Sequence, residues 1–411
     1  LRSQSGNIDA VILDGGYTVG EIVYISSANI TIADLTIQRA FYHPIHIVGG
    51  GHQALLYNLH ILDGIQQLVK VNSDGNGYAD FGTLACSLVE YTSAGRQQID
   101  TVLTGCYTNG FDALQSWGWT IRDNTFKEIH CDGRAAVAGP TILFWRSSRD
   151  PVIERNILIN SSQGIVLGLM SSGGERIYSD DPLQGTGLTP SQVGHIGGVV
   201  KNNIIYIASG VPHDAYDGGI AVKQAINVSV YHNTIYTEGT TAFDFQFANT
   251  QVVAQNNLYY PTIAVRDSAV PTLANNTLAT SGMFVNLLGA DLHLVSTASA
   301  AINQGANVGA IQDIDGDTRD SQPDVGADEY AASGVDTTLP TIPTSLTAAP
   351  FSSSQINLAW NPSSDPESGV LRYNVWRNNV LVRQPVTSSV ADSGLSPSTT
   401  YYYCAIASNA A

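Results

Sequence analysis

Positive charge is scarce in this chain: its 411 residues carry 18 Lys and Arg against 35 Asp and Glu, a formal net charge of −17. A nucleic-acid-binding protein needs a basic surface to displace counterions from phosphates, so the composition argues against that class. No run of about 18 apolar residues occurs, which argues against a membrane-spanning helix. Four cysteines are too few for a disulfide scaffold. One bridge among Cys86, Cys106 and Cys131, or buried free thiols, are the two interpretations left.

Charge of either sign is also sparse, at 13% of the chain against about a quarter in an average globular protein. Glycine is abundant, with 39 residues, and 43% of the chain is hydrophobic. Little charge combined with many glycines and small polar residues favours long sheets joined by tight turns. We therefore predict an all-β protein, whose length allows two or three domains at roughly 150 residues each.

A short motif recurs along the chain: a small polar residue, usually Asn, followed by two or three apolar or β-branched residues. The polar position is occupied by Asp34, Asn58, Ser87, Asn124, Asn156, Asn203, Asn233, Asn257 and Asn276. Successive copies lie between 19 residues (257 to 276) and 47 residues (156 to 203) apart. A minimum near this length with variable insertions predicts a single-stranded β-solenoid of about ten coils on one shared core. Asn suits the corner because it tolerates a left-handed backbone and its amide can bond to the Asn one coil away.

This repeat resembles the right-handed parallel β-helix of the pectin-lyase-like superfamily, and the predicted domain covers residues 1–332. The segments 43–46 and 144–150 and the acidic ending 315–329 are similar to bacterial secreted β-helix proteins. The resemblance implies a polysaccharide-active protein that is extracellular or at the cell surface. The superfamily includes lyases, hydrolases, epimerases, phage tailspikes and adhesins, so the resemblance implies the fold more narrowly than the activity.

A second module follows the solenoid. Residues 333–342 are rich in Ser, Gly, Thr and Pro, which is typical of a linker. Residues 343–411 resemble a fibronectin type III domain, with Trp360 at the position of its core tryptophan. Such immunoglobulin-like β-sandwiches need seven strands in about 100 residues, so we predict a partial sandwich without its last strand. Together with the abrupt start at Leu1, this predicts a fragment of a longer protein.

Two acidic segments carry the side chains that calcium prefers. The loop from Asn72 to Asp80 offers oxygen ligands at its first, third, fifth and ninth positions with Gly at the sixth, like the first part of a calcium loop. The predicted ligands there are Asn72, Asp74, Asn76 and Asp80. At the end of the solenoid, a second set of predicted ligands is Asp313, Asp315 and Asp317. The alternatives are an ordinary Asn, Asp and Gly-rich corner for the first, and a terminal cap paired with Arg319 for the second.

Basic and aromatic side chains concentrate between residues 117 and 176. Arginine forks bind carboxylates, and flat aromatic rings stack on sugars. This mixture on an acidic protein predicts a groove for an acidic polysaccharide. Its predicted substrate-binding residues are Trp117, Trp119, Trp145, Arg122 and Arg134. The alternative is that the arginines pair with nearby acids while the tryptophans fill the core.

β-Elimination of a uronide fits such a groove: a cation or an arginine neutralises the carboxylate, and a base removes the acidified proton beside it. Lys70 is the best single base candidate, because strand alternation places it on the same face as Asn72. The predicted catalytic residues are Lys70, Arg146, Arg149 and His130.

Hydrolysis by paired carboxylates is the less favoured chemistry, because the Asn-Thr-Asp and Gly-His-Gly motifs of polygalacturonases of this fold are absent. Its candidate residues are Asp180, Asp181, Asp214 and Asp217. His43 and His46 are three residues apart, so an ideal strand would place them on opposite faces. His46 and His60 could stack in adjacent coils. We expect all three to be satisfied surface or ladder histidines rather than zinc ligands.

The sequence as a whole predicts a secreted, monomeric β-helix that acts on an acidic polysaccharide as a calcium-using lyase, with the fibronectin-like module as a spacer. One alternative is a non-catalytic carbohydrate-binding adhesin or cell-surface structural protein. Another is a phage or matrix fibre, which would be a trimer.

Overall fold

The structure, a computed structural model, describes residues 1–3, 6–102, 105–132, 138–169, 175–330, 339–365, 370–378 and 380–409. They form a parallel β-helix followed by two small antiparallel sheets. The predicted all-β class, with a solenoid ahead of a partial sandwich, is confirmed.

Strands of successive coils build three parallel sheets. The 17-stranded sheet contains Ile12–Asp14, Thr31–Gln38, Leu55–Leu62, Thr83–Ala85, Leu88–Glu90, Thr120–Arg122, Thr125–Lys127, Val152–Glu154, Ile157–Ile159, Val199–Lys201, Ile204–Ile207, Val228–Tyr231, Thr234–Thr237, Val252–Gln255, Leu258–Tyr260, Thr272–Ala274 and Thr277–Leu278. The 9-stranded sheet, called the second sheet below, contains Glu21–Ile25, His43–Ile47, Val69–Val71, Phe111–Leu114, Ile142–Trp145, Ile165–Gly168, Ile220–Lys223, Phe243–Gln246 and Ile263–Arg266. The 3-stranded third sheet contains Ser148–Arg149, His195–Ile196 and Ala225–Ile226.

Each solenoid strand pairs in register with the strand one coil away. Ile121, for example, lies between Leu84 of the preceding coil and Ile153 of the next. All three side chains are fully buried. A single coil cannot bury its own inward side chains, so the core exists only when coils stack. Burial of each such side chain is worth about 1.5–3 kcal/mol.

The corner inside the 17-stranded sheet carries the predicted asparagine ladder. Side-chain amides bond from coil to coil along Asn124, Asn156, Asn203, Asn233, Asn257 and Asn276. At Asn203, Oδ1 accepts from Asn156 Nδ2 at 2.9 Å and Nδ2 donates to Asn233 Oδ1 at 2.9 Å. The left-handed backbone, however, belongs to the preceding residue, such as Asn202 with φ of 53°. The ladder is therefore confirmed, while the expected left-handed position is wrong by one residue in these coils.

Several elements lie outside the parallel sheets. One α-helix spans Ser93–Val102 and an antiparallel pair is formed by Phe284–Asn286 and Asp291–Leu294. The 3-10 helices are Pro190–Gln192, Ser281–Met283 and Leu287–Gly289. Across the described residues, every helix is too short or too polar to traverse a bilayer.

The cysteines divide into one bridge and two free thiols. Cys106 and Cys131 form a disulfide with Cα atoms 6.0 Å apart. Cys86 and Cys404 are free. One bridge among Cys86, Cys106 and Cys131 is therefore present, and the remaining cysteine of the three, Cys86, is a partly buried free thiol.

The C-terminal module consists of two antiparallel three-stranded sheets. The first contains Thr344–Ser352, Gln355–Asn361 and Ser389–Ser393. The second contains Val370–Arg377, Val380–Arg383 and Tyr403–Asn409. Trp360 is buried against Tyr373, with ring centroids 5.1 Å apart. These sheets agree with a partial sandwich, whereas its fibronectin identity and the domain boundaries stay predictions. Most of the predicted linker lies in residues 331–338, outside the described residues.

The C-terminal module packs directly on the 17-stranded sheet. Its Trp376 and Cys404 form a buried cluster with Ala33, Tyr57 and Ala85 of the first coils. This contact covers part of the 17-stranded sheet, and the buried cluster includes no residue of the second sheet.

Candidate functional site

The second sheet carries a row of polar residues at equivalent positions of successive coils. Parallel register aligns Tyr24 with His46, His46 with Lys70 and Lys70 with Asp112. We call these four residues the outer row, because the apolar residues on either side of each one fill the core. In the next three coils the same position is apolar. It is occupied there by Leu143, Val166 and Ala221.

Lys70 and Asp112 form a buried ion pair within the outer row. Lys70 Nζ lies 2.5 Å from Asp112 Oδ2, and Trp145 Nε1 donates to Asp112 Oδ1 at 2.8 Å. Lys70 is 8% and Asp112 is 1% exposed. The predicted base is therefore an amine held against a carboxylate, with a partly exposed indole beside it.

Three side chains next to this pair bring metal-binding atoms together. Ligand atoms of Glu21, His43 and His46 lie within 4.8 Å of one another. His46 Nδ1 lies 2.5 Å from Glu21 Oε1, and its Nε2 lies 2.6 Å from Asn72 Oδ1. His43 Nδ1 lies 3.1 Å from the Gln67 carbonyl oxygen, and burial lowers the pKa of His43 to about 4.

The expectation that the two histidines face opposite sides is wrong. Their ring centroids are 5.1 Å apart. His43 is the first residue of its strand, where the chain enters from a turn and strict alternation of side chains is not yet imposed.

The loop from Asn72 to Asp80 does not gather its oxygen atoms around one point. Asp80 Oδ1 lies 2.6 Å from Arg176 NH1, and Oδ2 lies 2.8 Å from NH2. Asp74 instead accepts from the backbone N–H of Asn76 at 2.7 Å. A buried arginine already neutralises the carboxylate that an ion would need, so these four predicted ligands do not fit calcium at this loop.

The acidic segment at the end of the solenoid has counter-charges within the chain. His293 Nε2 lies 3.1 Å from Asp315 Oδ2, and Arg372 NH2 lies 2.7 Å from Asp317 Oδ1. Asp313 Oδ1 accepts from the backbone N–H groups of Asp315 and Asp317 at 3.0 and 2.8 Å. The segment thus has the internal partners that a cap would have, while the predicted calcium ligands stay a prediction.

In the part of the chain that the structure describes, two groups of side chains could hold a metal ion. One is the Glu21, His43 and His46 group. The other joins His293 and Asp315 to Asp328, again with ligand atoms within 4.8 Å of one another. Burial raises the pKa of Asp328 to about 6.

An arginine–aromatic cluster lies beside the third sheet. The Arg149 guanidinium carbon is 4.7 Å from the Trp117 ring centroid and 5.1 Å from that of Tyr178. The same guanidinium pairs with Asp150 at 2.8 Å and Asp180 at 2.7 Å. The structure thus places the predicted catalytic residue Arg149 against the predicted substrate-binding residue Trp117, and it also pairs Arg149 with nearby acids, as the alternative expects.

Other predicted groove residues lie elsewhere. Trp119 is fully buried and donates from Nε1 to the Ala79 carbonyl at 2.8 Å, so it fills the core instead of lining a groove. Arg122 is 3% exposed and its guanidinium lies 5.3 Å from the Trp376 ring centroid. It is therefore covered by the C-terminal module. Arg134 lies outside the described residues.

The two remaining catalytic candidates are separated from each other. His130 follows the strand Thr125–Lys127 of the 17-stranded sheet, with Nε2 3.0 Å from Glu128 and Nδ1 3.2 Å from Asp132. Arg146 follows the second-sheet strand that ends at Trp145, and its guanidinium lies 5.2 Å from that ring centroid.

Sequence reasoning missed Glu21 and Asp112. Both lie at positions that register with known candidates, since Glu21 pairs with His43 and Asp112 with Lys70. Aligning the second strand of each coil, in addition to the asparagine corner, would have found them.

Comparisons with known proteins give short or distant similarities. No protein-family model matches the chain. The fold is similar to that of pectate lyase Pel9A, with a TM-score of 0.46 and 15% identity over 78% of this chain and 77% of that one. Chitinase Chi52 of Paenibacillus xylanexedens and exoglucanase B of Cellulomonas fimi are each 40% identical over 76 residues. An alpha-amylase of Niallia circulans is 38% identical over 68 residues.

The sequence matches concern small segments. They cover 18%, 18% and 16% of this chain, and 14%, 7% and 5% of the chitinase, the exoglucanase and the amylase. The chain thus spans well under a fifth of each curated relative that it matches.

Proposed function

We propose that the protein binds an acidic polysaccharide along the second sheet and cleaves it by β-elimination. The outer row carries this proposal. It combines a lysine–carboxylate pair with a histidine on one side of the solenoid, and the partly exposed Trp145 donates a hydrogen bond to Asp112 beside them. Titratable groups held together with restricted access to water suit general acid–base chemistry.

In the proposed reaction Lys70 is the base. Its ammonium passes a proton to Asp112 Oδ2, 2.5 Å away, and the neutral amine then takes the proton from the sugar carbon beside the carboxylate. The electron pair of that C–H bond becomes a carbon–carbon double bond while the glycosidic C–O bond breaks and its electron pair leaves with the oxygen. Water protonates this leaving oxygen, and Asp112 releases its proton to solvent, which restores the ion pair with the Lys70 ammonium. Arg146 and Arg149 are the proposed cations that attract the uronate carboxylates.

The test is an ultraviolet assay for the unsaturated product on a panel of uronate polysaccharides. Lys70→Met should lower the rate by about 100- to 10,000-fold, the usual contribution of a general base. Lys70→Arg should lose as much, because a guanidinium keeps the charge but does not give up its proton. Lys201→Met is the matched control, since Lys201 pairs with Glu154 at 3.1 Å on the 17-stranded sheet.

Two results would contradict this assignment. Activity retained in Lys70→Arg would show that Lys70 acts through its charge alone. If the unaltered protein forms no unsaturated product from any polymer of the panel, the proposed β-elimination is wrong.

The proposed cofactor is calcium at the acidic end of the solenoid. Asp315 and Asp328 offer carboxylate oxygens there, and the buried acids around them favour an added cation. The elimination does not pass through this ion. Calcium should raise the melting temperature and a chelator should lower it. Asp315→Asn should abolish that shift, and an unaltered protein whose melting temperature ignores calcium would disprove the site.

A non-catalytic carbohydrate-binding protein is the second candidate. The observation in its favour is that Lys70 and Arg149 both have carboxylate partners within the chain. It predicts retention on a polyuronate column with no product formed. Either function suits an extracellular or cell-surface location, which we propose because the disulfide between Cys106 and Cys131 is typical of oxidising compartments.

A further inference from the structure

We propose that Glu21, His43 and His46 form a binding site for a transition-metal ion of the zinc class. Their ligand atoms lie within 4.8 Å of one another and come from neighbouring strands of the second sheet. The inference concerns metal binding alone and does not depend on the proposed elimination.

The two imidazoles are already oriented as metal ligands are. A histidine ligand usually donates its second ring N–H to a protein oxygen, which fixes the tautomer. The carbonyl oxygen of Gln67 can only accept, so the proton of neutral His43 lies on Nδ1 and the lone pair on Nε2. Asn72 Oδ1 takes the same role for His46 Nε2. Asn72 Nδ2 donates to the Ser73 carbonyl at 2.8 Å, which fixes the orientation of the amide.

The carboxylate completes the set and can adjust its position. Zinc binds nitrogen and carboxylate oxygen at about 2.0–2.2 Å, so the 2.5 Å contact between His46 Nδ1 and Glu21 Oε1 must open to admit an ion. Glu21 begins its strand and its side chain is 29% exposed, so this movement does not disturb the core. Two imidazoles and one carboxylate leave a fourth position for water or a ligand, and this donor set favours zinc over calcium or magnesium.

Two other histidines show what distinguishes this group. His60 Nε2 lies 2.8 Å from Glu90 Oε1, a histidine–glutamate contact outside either metal-binding group of the described residues. His293 has a carboxylate at each nitrogen, Asp291 at 2.5 Å and Asp315 at 3.1 Å. Burial lowers the pKa of His293, but the two carboxylates raise it by more, so the pKa is well above its ordinary value. That arrangement therefore holds a charged imidazolium.

The experiment uses the tag-free full chain, freed of metal with a chelator and titrated with Zn²⁺ in a calorimeter and with Co²⁺ by visible absorption. Glu21→Gln and His46→Asn should each remove one binding event and the tetrahedral Co²⁺ bands. Asn72→Ala should weaken binding by about 10- to 100-fold, as loss of a supporting hydrogen bond does. His60→Asn is the matched control and should bind like the unaltered protein.

His293→Asn separates this site from the second metal-binding group. If zinc binding is lost in His293→Asn and unchanged in Glu21→Gln, the ion belongs to the cap and the inference is wrong. If the unaltered protein binds no zinc, the inference is wrong and Glu21 and His46 form only an ion pair. Glu21→Gln keeps the side-chain shape at a partly exposed position, so melting curves in chelator should match those of the unaltered protein and exclude misfolding.

Discussion

Two lines of polar side chains run along the solenoid, and they differ in what changes from coil to coil. In the asparagine ladder the residue is constant and each amide bonds to its copy, as between Asn203 and Asn233. In the outer row the register is just as regular, but the residue changes from Tyr24 to His46, Lys70 and Asp112. A repeated polar residue serves the stacking itself, because every link has the same pitch. A polar residue that changes from coil to coil cannot form such a repeated link, so its role is specific to its own coil.

The comparison predicts that the outer row can be replaced by apolar residues, whereas the ladder cannot. Asp112→Ala should cost about 3–5 kcal/mol in the free energy of unfolding, because it leaves the buried Lys70 without a partner. The double variant Lys70→Met with Asp112→Leu should be close to neutral, since well-packed apolar residues often replace a buried ion pair without loss. Denaturant titration of the unaltered protein, Asp112→Ala and the double variant measures these free energies. A double variant as unstable as Asp112→Ala would show that the outer row, like the ladder, is needed for stability.

Within the ladder, the cost should depend on position. Asn203→Ala should cost about 3 kcal/mol, because Asn156, Asn233 and two backbone carbonyls each lose a partner. Asn276, which is less buried and is the last in the ladder, should cost about 1 kcal/mol on the same change. Denaturant midpoints at matched pH measure both, and equal losses would argue against a ladder that strengthens toward its middle.

The pH can separate the ladder, whose amides do not titrate, from the cap beside it. Burial raises the pKa of Asp324 to about 7, whereas an unfolded aspartate ionises near about 3.9. The folded state therefore holds the proton more tightly, and stability falls as pH rises from about 4 to about 7. About three units of pKa difference at about 1.4 kcal/mol each correspond to a loss of about 4 kcal/mol over that window. Asp324→Asn should flatten this slope in melts at several pH values, whatever its baseline stability; an unchanged slope would assign the effect to other groups.

The smallest effect is expected at the arginine–aromatic cluster. Arg149→Ala should change stability by less than about 1 kcal/mol, because its partners Asp150 and Asp180 are exposed. It should nevertheless weaken retention on a polyuronate column. Arg176→Ala is the contrasting variant: it should cost about 3 kcal/mol because it leaves the buried Asp80 unpaired. Unchanged retention in Arg149→Ala would remove this cluster from the proposed groove.

The fold was more predictable than the site, for a physical reason. A solenoid repeats its local rules, so the motif around Asn156, Asn203 and Asn233 predicts the same corner each time. Sites depend on side chains that meet across variable insertions. Arg176, in the long connection between the strands Ile165–Gly168 and His195–Ile196, pairs with Asp80, 96 residues earlier in the chain, and so neutralises a carboxylate of the predicted calcium loop. Spacing in the sequence could not predict that contact.

The sequence by itself determined the coil, the polar corner and the acidic balance, because each depends on residues close together in the chain. Tertiary structure alone decided which of these side chains meet. It placed Glu21 beside His46, Asp112 beside Lys70, and Trp376 over Arg122. Stacking determines these encounters, since the length of every insertion shifts which residue of the next coil comes into register.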